Sequence, residues 1–204
     1  MSSIGLFGGS FNPIHCGHIA LSREILRQAG LDEIWLMVSP QNPLKQQAGL
    51  LADDARLRLA RKALRGVRGI KASDFEFRLP RPSYTWNTLE ALRAAYPGHV
   101  FSLIIGDDNW DCFDRWYRAD DIRAQYAVIV YPREEQGSEA GKPLQVWRQT
   151  ADGTRGLMPL SAHPSPLFHV SSTEVRERVR RGESIEGLVP HCIADDVKRL
   201  YSNL

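Results

Sequence analysis

The chain has 204 residues, 43% hydrophobic and 25% charged, with a formal net charge of +2. That length suits one domain able to bury a core without disulfides or a structural metal, and the composition is that of a soluble globular protein. A charge so close to neutrality implies no nucleic-acid or membrane partner by itself, so charge must be read site by site.

Short apolar runs alternate with helical patterns along the chain. Strands are predicted over residues 4–7, 33–38, 70–77, 100–105, 126–130 and 167–170, and helices over 18–28, 53–64, 85–96 and 115–125. Gly30 follows the first helix, while Asp53 and Thr85 stand where N-caps of the second and third would fall. Runs such as "FSLIIG" and "YAVIVY" are apolar on both faces, as central strands of a covered parallel sheet are. The alternation predicts a single doubly wound α/β domain over 1–204, a parallel sheet with helices on both faces. The polar, glycine-containing stretch 133–156 breaks the rhythm and reads as a surface excursion, disordered or a hairpin about Asp152 and Gly153. A last helical segment, 193–201, is expected to pack on the sheet.

Cys16, Cys112 and Cys192 form no CxxC pair and read as reduced thiols. No apolar run approaches the roughly 18 residues of a membrane span, and no basic segment followed by a long apolar stretch opens the chain. A cytoplasmic location is expected.

In an open parallel sheet, ligands bind beyond the carboxyl ends of the strands. Four unusual segments fall at such ends: "GGSFNPIHCGH" (8–18), "SPQNPLK" (39–45), "GDDN" (106–109) and "SSTEVR" (171–176). Gly8 and Gly9 lack side chains, so backbone N–H groups there can approach a phosphate. His15 and His18 stand at the entrance to the first helix, where the helix dipole favours an anion and two imidazoles could stabilise charge on a phosphoryl group. A zinc pair lacks a third ligand at sensible spacing, and a purely capping role leaves the glycines unexplained. Ser171, Ser172 and Thr173 open a second helix with Arg176 one turn on. One such hydroxyl usually only caps a helix, but three in succession with an arginine fit a polyphosphate. Arg178, Arg180 and Arg181 read as a solvated face. Trp86, Trp110 and Trp116, taken alone, read as packing residues.

These motifs carry a resemblance. "GGSFNPIHCGH" is similar to the "GG[ST]FDPxHxGH" signature of the HxGH nucleotidyltransferase superfamily, and "VSSTEVR" to its "ISSTxxR" signature. Within it, "NPLK", "PSYTWNTL", "IIGDDN" and "DRWYRADDI" resemble segments of the nicotinate-nucleotide adenylyltransferases, so the resemblance covers essentially the whole chain. It implies a Rossmann-like fold and transfer of AMP from ATP to nicotinate mononucleotide, with pyrophosphate released. His15, His18 and Lys45 would be catalytic. Gly8, Gly9, Ser10, Phe11, Gly106, Asp108, Ser171, Ser172, Thr173 and Arg176 would hold the nucleotide, with Asp107 the alternative to Asp108. Tyr84, Thr85, Trp116 and Arg133 would form the acceptor pocket, Trp116 stacking on the pyridine.

No resident metal is expected; Mg2+ would bridge the phosphates of ATP. The partners implied are ATP and nicotinate mononucleotide, without nucleic acid or membrane, and homo-oligomerisation is left open. Asn12 stands where the signature has aspartate, Leu44 replaces the proline of the second motif, and the histidine before its lysine is absent. The alternatives are another acceptor within the superfamily, such as nicotinamide mononucleotide or phosphopantetheine, or a non-catalytic nucleotide-binding module.

Overall fold

The structure, a computed structural model, describes residues 1–40, 49–133, 143–149, 153–160 and 170–202. The opening apolar run is the middle of strand β1 (Ser2–Gly9), and the next two elements are α1 (Cys16–Ala29) and β2 (Glu33–Val38). Then come α2 (Asp53–Ala63), β3 (Ile70–Ser73) and α3 (Thr85–Ala95). β4 (His99–Gly106), the one-turn α4 (Asp107–Trp110), α5 (Ala119–Gln125) and β5 (Ala127–Tyr131) complete the regular alternation. β6 (Gln145–Gln149), β7 (Arg155–Pro159), α6 (Ser172–Arg180) and α7 (Ala194–Tyr201) follow.

The seven strands form one sheet in the order β3-β2-β1-β4-β5-β6-β7. β1 runs parallel to β4, with Leu6 beside Leu103 and Phe7 beside Ile104, and β4 runs parallel to β5, with Ile105 beside Val130. The side chains from Leu103 to Ile105 and from Val128 to Tyr131 are buried, which is why these strands read as unbroken apolar runs. At Gly5 a Cβ would lie 2.6 Å from Ile104 Cδ1 and 2.8 Å from Leu31 Cδ1, so the strand needs glycine to be packed this closely.

The Rossmann-like α/β reading holds for these elements, but the sheet is mixed. β6 pairs antiparallel with β5, and β7 antiparallel with β6, with Gln149 facing Arg155; Asp152, named in the predicted hairpin, lies outside the described residues. These strands lie in and beside the predicted excursion. They escaped a reading by apolar runs because "QVWRQ" has only two apolar residues, burying Val146 while Arg148 and Gln149 are exposed. The strand predicted over 70–77 stops at Ser73 and continues as a 3-10 turn, Phe75–Arg78. The helix predicted from 115 starts at Ala119, because Trp116 is extended and Arg118 is left-handed (φ 57°). Of the strand predicted over 167–170 only Val170 is described, and it is not in a strand.

Gly30 (φ 62°) ends α1 as expected, but the caps of α2 and α3 differ from expectation. Ala52 and Tyr84 occupy the cap positions without side-chain cap bonds. Asp53 instead pairs with Arg56 (2.6 Å) and Arg81 (2.9 Å). Cys16, Cys112 and Cys192 are free cysteines. Among the described residues no helix is long and apolar enough to cross a membrane.

The chain clusters into two compact units. One comprises Met1–Gly8, Glu24–Ile34 and Tyr84–Leu167; the other comprises Gly9–Arg23, Trp35–Ser83 and Phe168–Leu204. The candidate residues divide between them and are described unit by unit.

Candidate active site

β1 ends on two glycines, Gly8 in the first unit and Gly9 in the second, with different roles. A Cβ on Gly8 would meet nothing within 4 Å, so the backbone there is open to a ligand. At Gly9 a Cβ would lie 3.0 Å from the Phe11 ring, so this glycine makes room for Phe11. Phe11 is buried, has a left-handed backbone (φ 45°), and sets its ring edge-on to His18 with centroids 4.9 Å apart.

His15 and His18 form a stacked pair with centroids 3.6 Å apart. Each Nδ1 accepts the other residue's backbone N–H, at 3.2 and 3.3 Å, so each neutral imidazole carries its proton on Nε2. The two rings thereby satisfy N–H groups at the start of α1 and keep Nε2 as a donor. Gly17, absent from the sequence-based site, makes this possible: a Cβ there would lie 3.0 Å from His15 Nδ1 and 3.4 Å from the Val170 carbonyl. Burial raises the Cys16 thiol above its ordinary value, which keeps it protonated and makes it a poor nucleophile.

The second signature packs on the first within this unit. Ser171 is a cap, its hydroxyl accepting from Glu174 N–H at 3.1 Å. Ser172 donates to the Pro13 carbonyl (2.9 Å), and Arg176 donates to the Asn12 carbonyl (2.7 Å) and to Thr173 Oγ1 (3.3 Å). Burial and the neighbouring Arg180 pull the Arg176 guanidinium below its ordinary value. The two motifs, some 150 residues apart in the chain, thus form one cluster carrying donors and positive charge.

Arg56 supports that cluster from beneath, and the sequence offered no sign of it. Its side chain is fully buried and donates to the carbonyls of Leu51 (2.9 Å), Ser10 (2.5 Å) and Ser39 (3.0 Å) besides pairing with Asp53. A charge at a helix position normally reads as surface. Lys45 lies outside the described residues.

In the first unit, β4 ends at Gly106, where a Cβ would collide with Asp108 Oδ1 and lie 2.8 Å from Arg133 Nε. Asp107 Oδ1 accepts the backbone N–H groups of Asp108 (2.9 Å) and Arg133 (3.0 Å), so Asp107 shapes the turn. Asp108 pairs instead with the Arg133 guanidinium at 3.0 Å, both side chains half exposed. Arg133 also donates to the Tyr131 hydroxyl (3.1 Å), whose own ionisation is pushed up by burial. Tyr84 and Tyr117 expose a ring pair with centroids 5.0 Å apart, Tyr117 being a further aromatic that the motif reading did not single out. Thr85 opens α3 beside Tyr84. Trp116 is half-buried on Phe113, with a buried Nε1–H that has no hydrogen-bond partner among the described residues. Phe113 continues the stack to Trp110, and Trp110 to Trp147 of β6.

A donor-rich helix start beside glycine backbone, braced by a second helix start bearing an arginine, has the donors and charge that suit an anion. The chain matches the family described as cytidylyltransferase-like over residues 6–178, most of its length, and belongs to that family. A "Probable nicotinate-nucleotide adenylyltransferase" of Bacteroides fragilis is 44% identical over 183 residues, covering 89% of this chain and 84% of that protein. One of Cytophaga hutchinsonii bearing the same name is 37% identical over 202 residues, with 98% of each covered. Within the family the chain therefore groups with the nicotinate-nucleotide adenylyltransferases. The fold agrees with that of Plasmodium falciparum nicotinic acid mononucleotide adenylyltransferase complexed with NaAD (TM-score 0.66, 15% identity, 97% of this chain and 94% of that one).

Proposed function

We propose that the chain transfers AMP from ATP to nicotinate mononucleotide, forming nicotinate adenine dinucleotide and pyrophosphate, with the residues described above as its machinery. The carrying observation is the reciprocal histidine pair, in which each Nδ1 accepts a backbone N–H at one helix start and the neutral ring carries its proton on Nε2. A phosphate oxygen of the mononucleotide attacks the α-phosphorus of ATP. The new P–O bond forms as the bond to the bridging oxygen breaks, and the electron pair leaves on pyrophosphate. A phosphate monoester dianion needs no activating base, so positioning and charge stabilisation carry the catalysis.

His15 and His18 donate to the transferred phosphoryl group. Gly8, Gly9, Ser10 and Phe11 hold the nucleotide, as do Gly106 and Asp108. Ser171, Ser172, Thr173 and Arg176 grip the phosphate chain, and Lys45 adds a cation. Tyr84, Thr85, Trp116 and Arg133 receive the acceptor, whose pyridine stacks on Trp116. Asp108 is preferred to Asp107 because both N–H bonds to Asp107 Oδ1 are needed for the turn.

Mg2+ would enter as a complex with ATP and not through a resident cage of protein ligands. Bound with ATP, such an ion would supply charge neutralisation for the leaving pyrophosphate. The three free thiols support a cytoplasmic location.

Pyrophosphate release measured with ATP and a panel of acceptors tests the reading. Nicotinate mononucleotide is expected to give the highest kcat/KM. Preference for nicotinamide mononucleotide or phosphopantetheine would overturn the acceptor assignment, and ATP binding without turnover on any acceptor would overturn the reaction.

A further inference from the structure

Asn12 departs from the aspartate of the related signature, and the structure gives its amide a specific set of bonds. The residue is 6% exposed. Its Oδ1 accepts from the Tyr201 hydroxyl (2.7 Å) and from Leu51 N–H (3.1 Å), while its Nδ2 donates to the Gly49 carbonyl (2.9 Å). Its main-chain carbonyl accepts from Arg176 at 2.7 Å. One residue of the phosphate-side loop thus contacts the segment before α2, the helix carrying Arg176, and the last residue of α7. Oδ1 fills both its lone pairs, and one amide proton is used on a carbonyl.

A carboxylate could keep the bonds from Tyr201 and Leu51, but it has no hydrogen to give Gly49 and would set oxygen against oxygen. It would also bring a negative charge beside Arg176, already held through the main chain of the same residue. The charged groups facing this position are Arg176 from α6, with Arg180 and Glu177 acting on it, and Arg56 from α2, which acts on Tyr201. Tyr201 is neutral here because burial raises its ionisation well above the ordinary range. A carboxylate at position 12 would offer Arg176 an ion-pair partner in competition with a phosphate.

We propose that Asn12 is a positioning residue for ATP binding, whose neutral amide fixes the loop and leaves Arg176 available to the phosphates, so that the signature's usual aspartate is detrimental in this chain. The inference rests on the reading of Arg176 as a phosphate-binding residue.

The test uses the whole protein and separate KM values for ATP and nicotinate mononucleotide. Asn12→Asp is expected to raise KM for ATP about 10-fold, the loss of roughly one charge-assisted contact, while KM for the mononucleotide stays within about twofold. Tyr201→Phe keeps the ring and should raise KM for ATP severalfold. Because the two side chains share one bond, adding Tyr201→Phe to Asn12→Ala should cost nothing further. An unchanged KM for ATP in Asn12→Asp, alongside a raised one in Arg176→Ala, overturns the role of Asn12 alone. If Arg176→Ala also leaves KM for ATP unchanged, the phosphate-side reading falls and the inference with it. Equal rises in both KM values with a lowered melting temperature would mean a merely structural role and also overturn it.

Discussion

Each histidine of the loop after β1 performs two tasks at once: its Nδ1 satisfies a helix-start N–H and its Nε2 presents a proton. On the proposed mechanism, removing one ring removes a donor to the transferred group while leaving the helix able to form. His18→Ala is expected to lower kcat about 100-fold with the far-UV spectrum kept, in line with the loss of one preorganised donor. Turnover like that of the wild type would remove His18 from the mechanism. Gly17→Ala leaves both imidazoles in place but presses a methyl group on His15 Nδ1, displacing the ring by a few tenths of an ångström. A drop of about 10-fold in kcat, with KM values little changed, is expected from misplacement alone. The two histidines were legible in the sequence because their spacing and neighbouring glycines form a motif. Gly17 stood in the same motif but its packing role did not show, and Arg56 and the bonds of Asn12 were not legible, because most of their partners are brought to them only by the fold.

At the level of elements, α7 is tied to α2 by Asp196 and Lys62, 2.7 Å apart. The hydrogen bond from Lys62, against a small opposing effect of burial and aided by Arg199, holds the Asp196 carboxyl below its ordinary value. A carboxyl lowered in the folded state stabilises the fold above its unfolded value, near 4, and that contribution is lost as pH falls through the lower folded value. The melting temperature of Asp196→Asn should therefore lie below that of the wild type at pH 7, and the gap should shrink as pH falls below the unfolded value. A gap independent of pH would show that the pair contributes no ionisation-linked stability. The parallel strands β1, β4 and β5 were readable because both their faces are covered and their sequences are uniformly apolar. β6 and β7 were harder to see: one buries a single side chain and the other is only half-buried, and nothing in their composition announces an antiparallel extension. The predicted helix from 115 was too long because apolar spacing does not reveal the left-handed turn at Arg118 that sets the true start.

At the scale of the whole molecule, one buried cation shows how the fold and the site depend on each other. Arg56 gains three carbonyls and a carboxylate in place of water, and two of those carbonyls, on Ser10 and Ser39, belong to loops that follow β1 and β2. Its charge is satisfied only when those loops are in place, so loop geometry and core integrity are won or lost together. β7 closes the sheet order, and its outer row of backbone groups is where another chain could add a strand. The strand is only five residues long, begins at an exposed arginine and ends at an exposed proline, which has no N–H to offer. Replacing Arg155 and Pro159 together by valine should leave kcat unchanged yet raise light scattering at high protein concentration. If the scattering stays at the wild-type level, the edge is protected by something else. On this view two residues with no catalytic role would hinder the outermost strand from recruiting a neighbour.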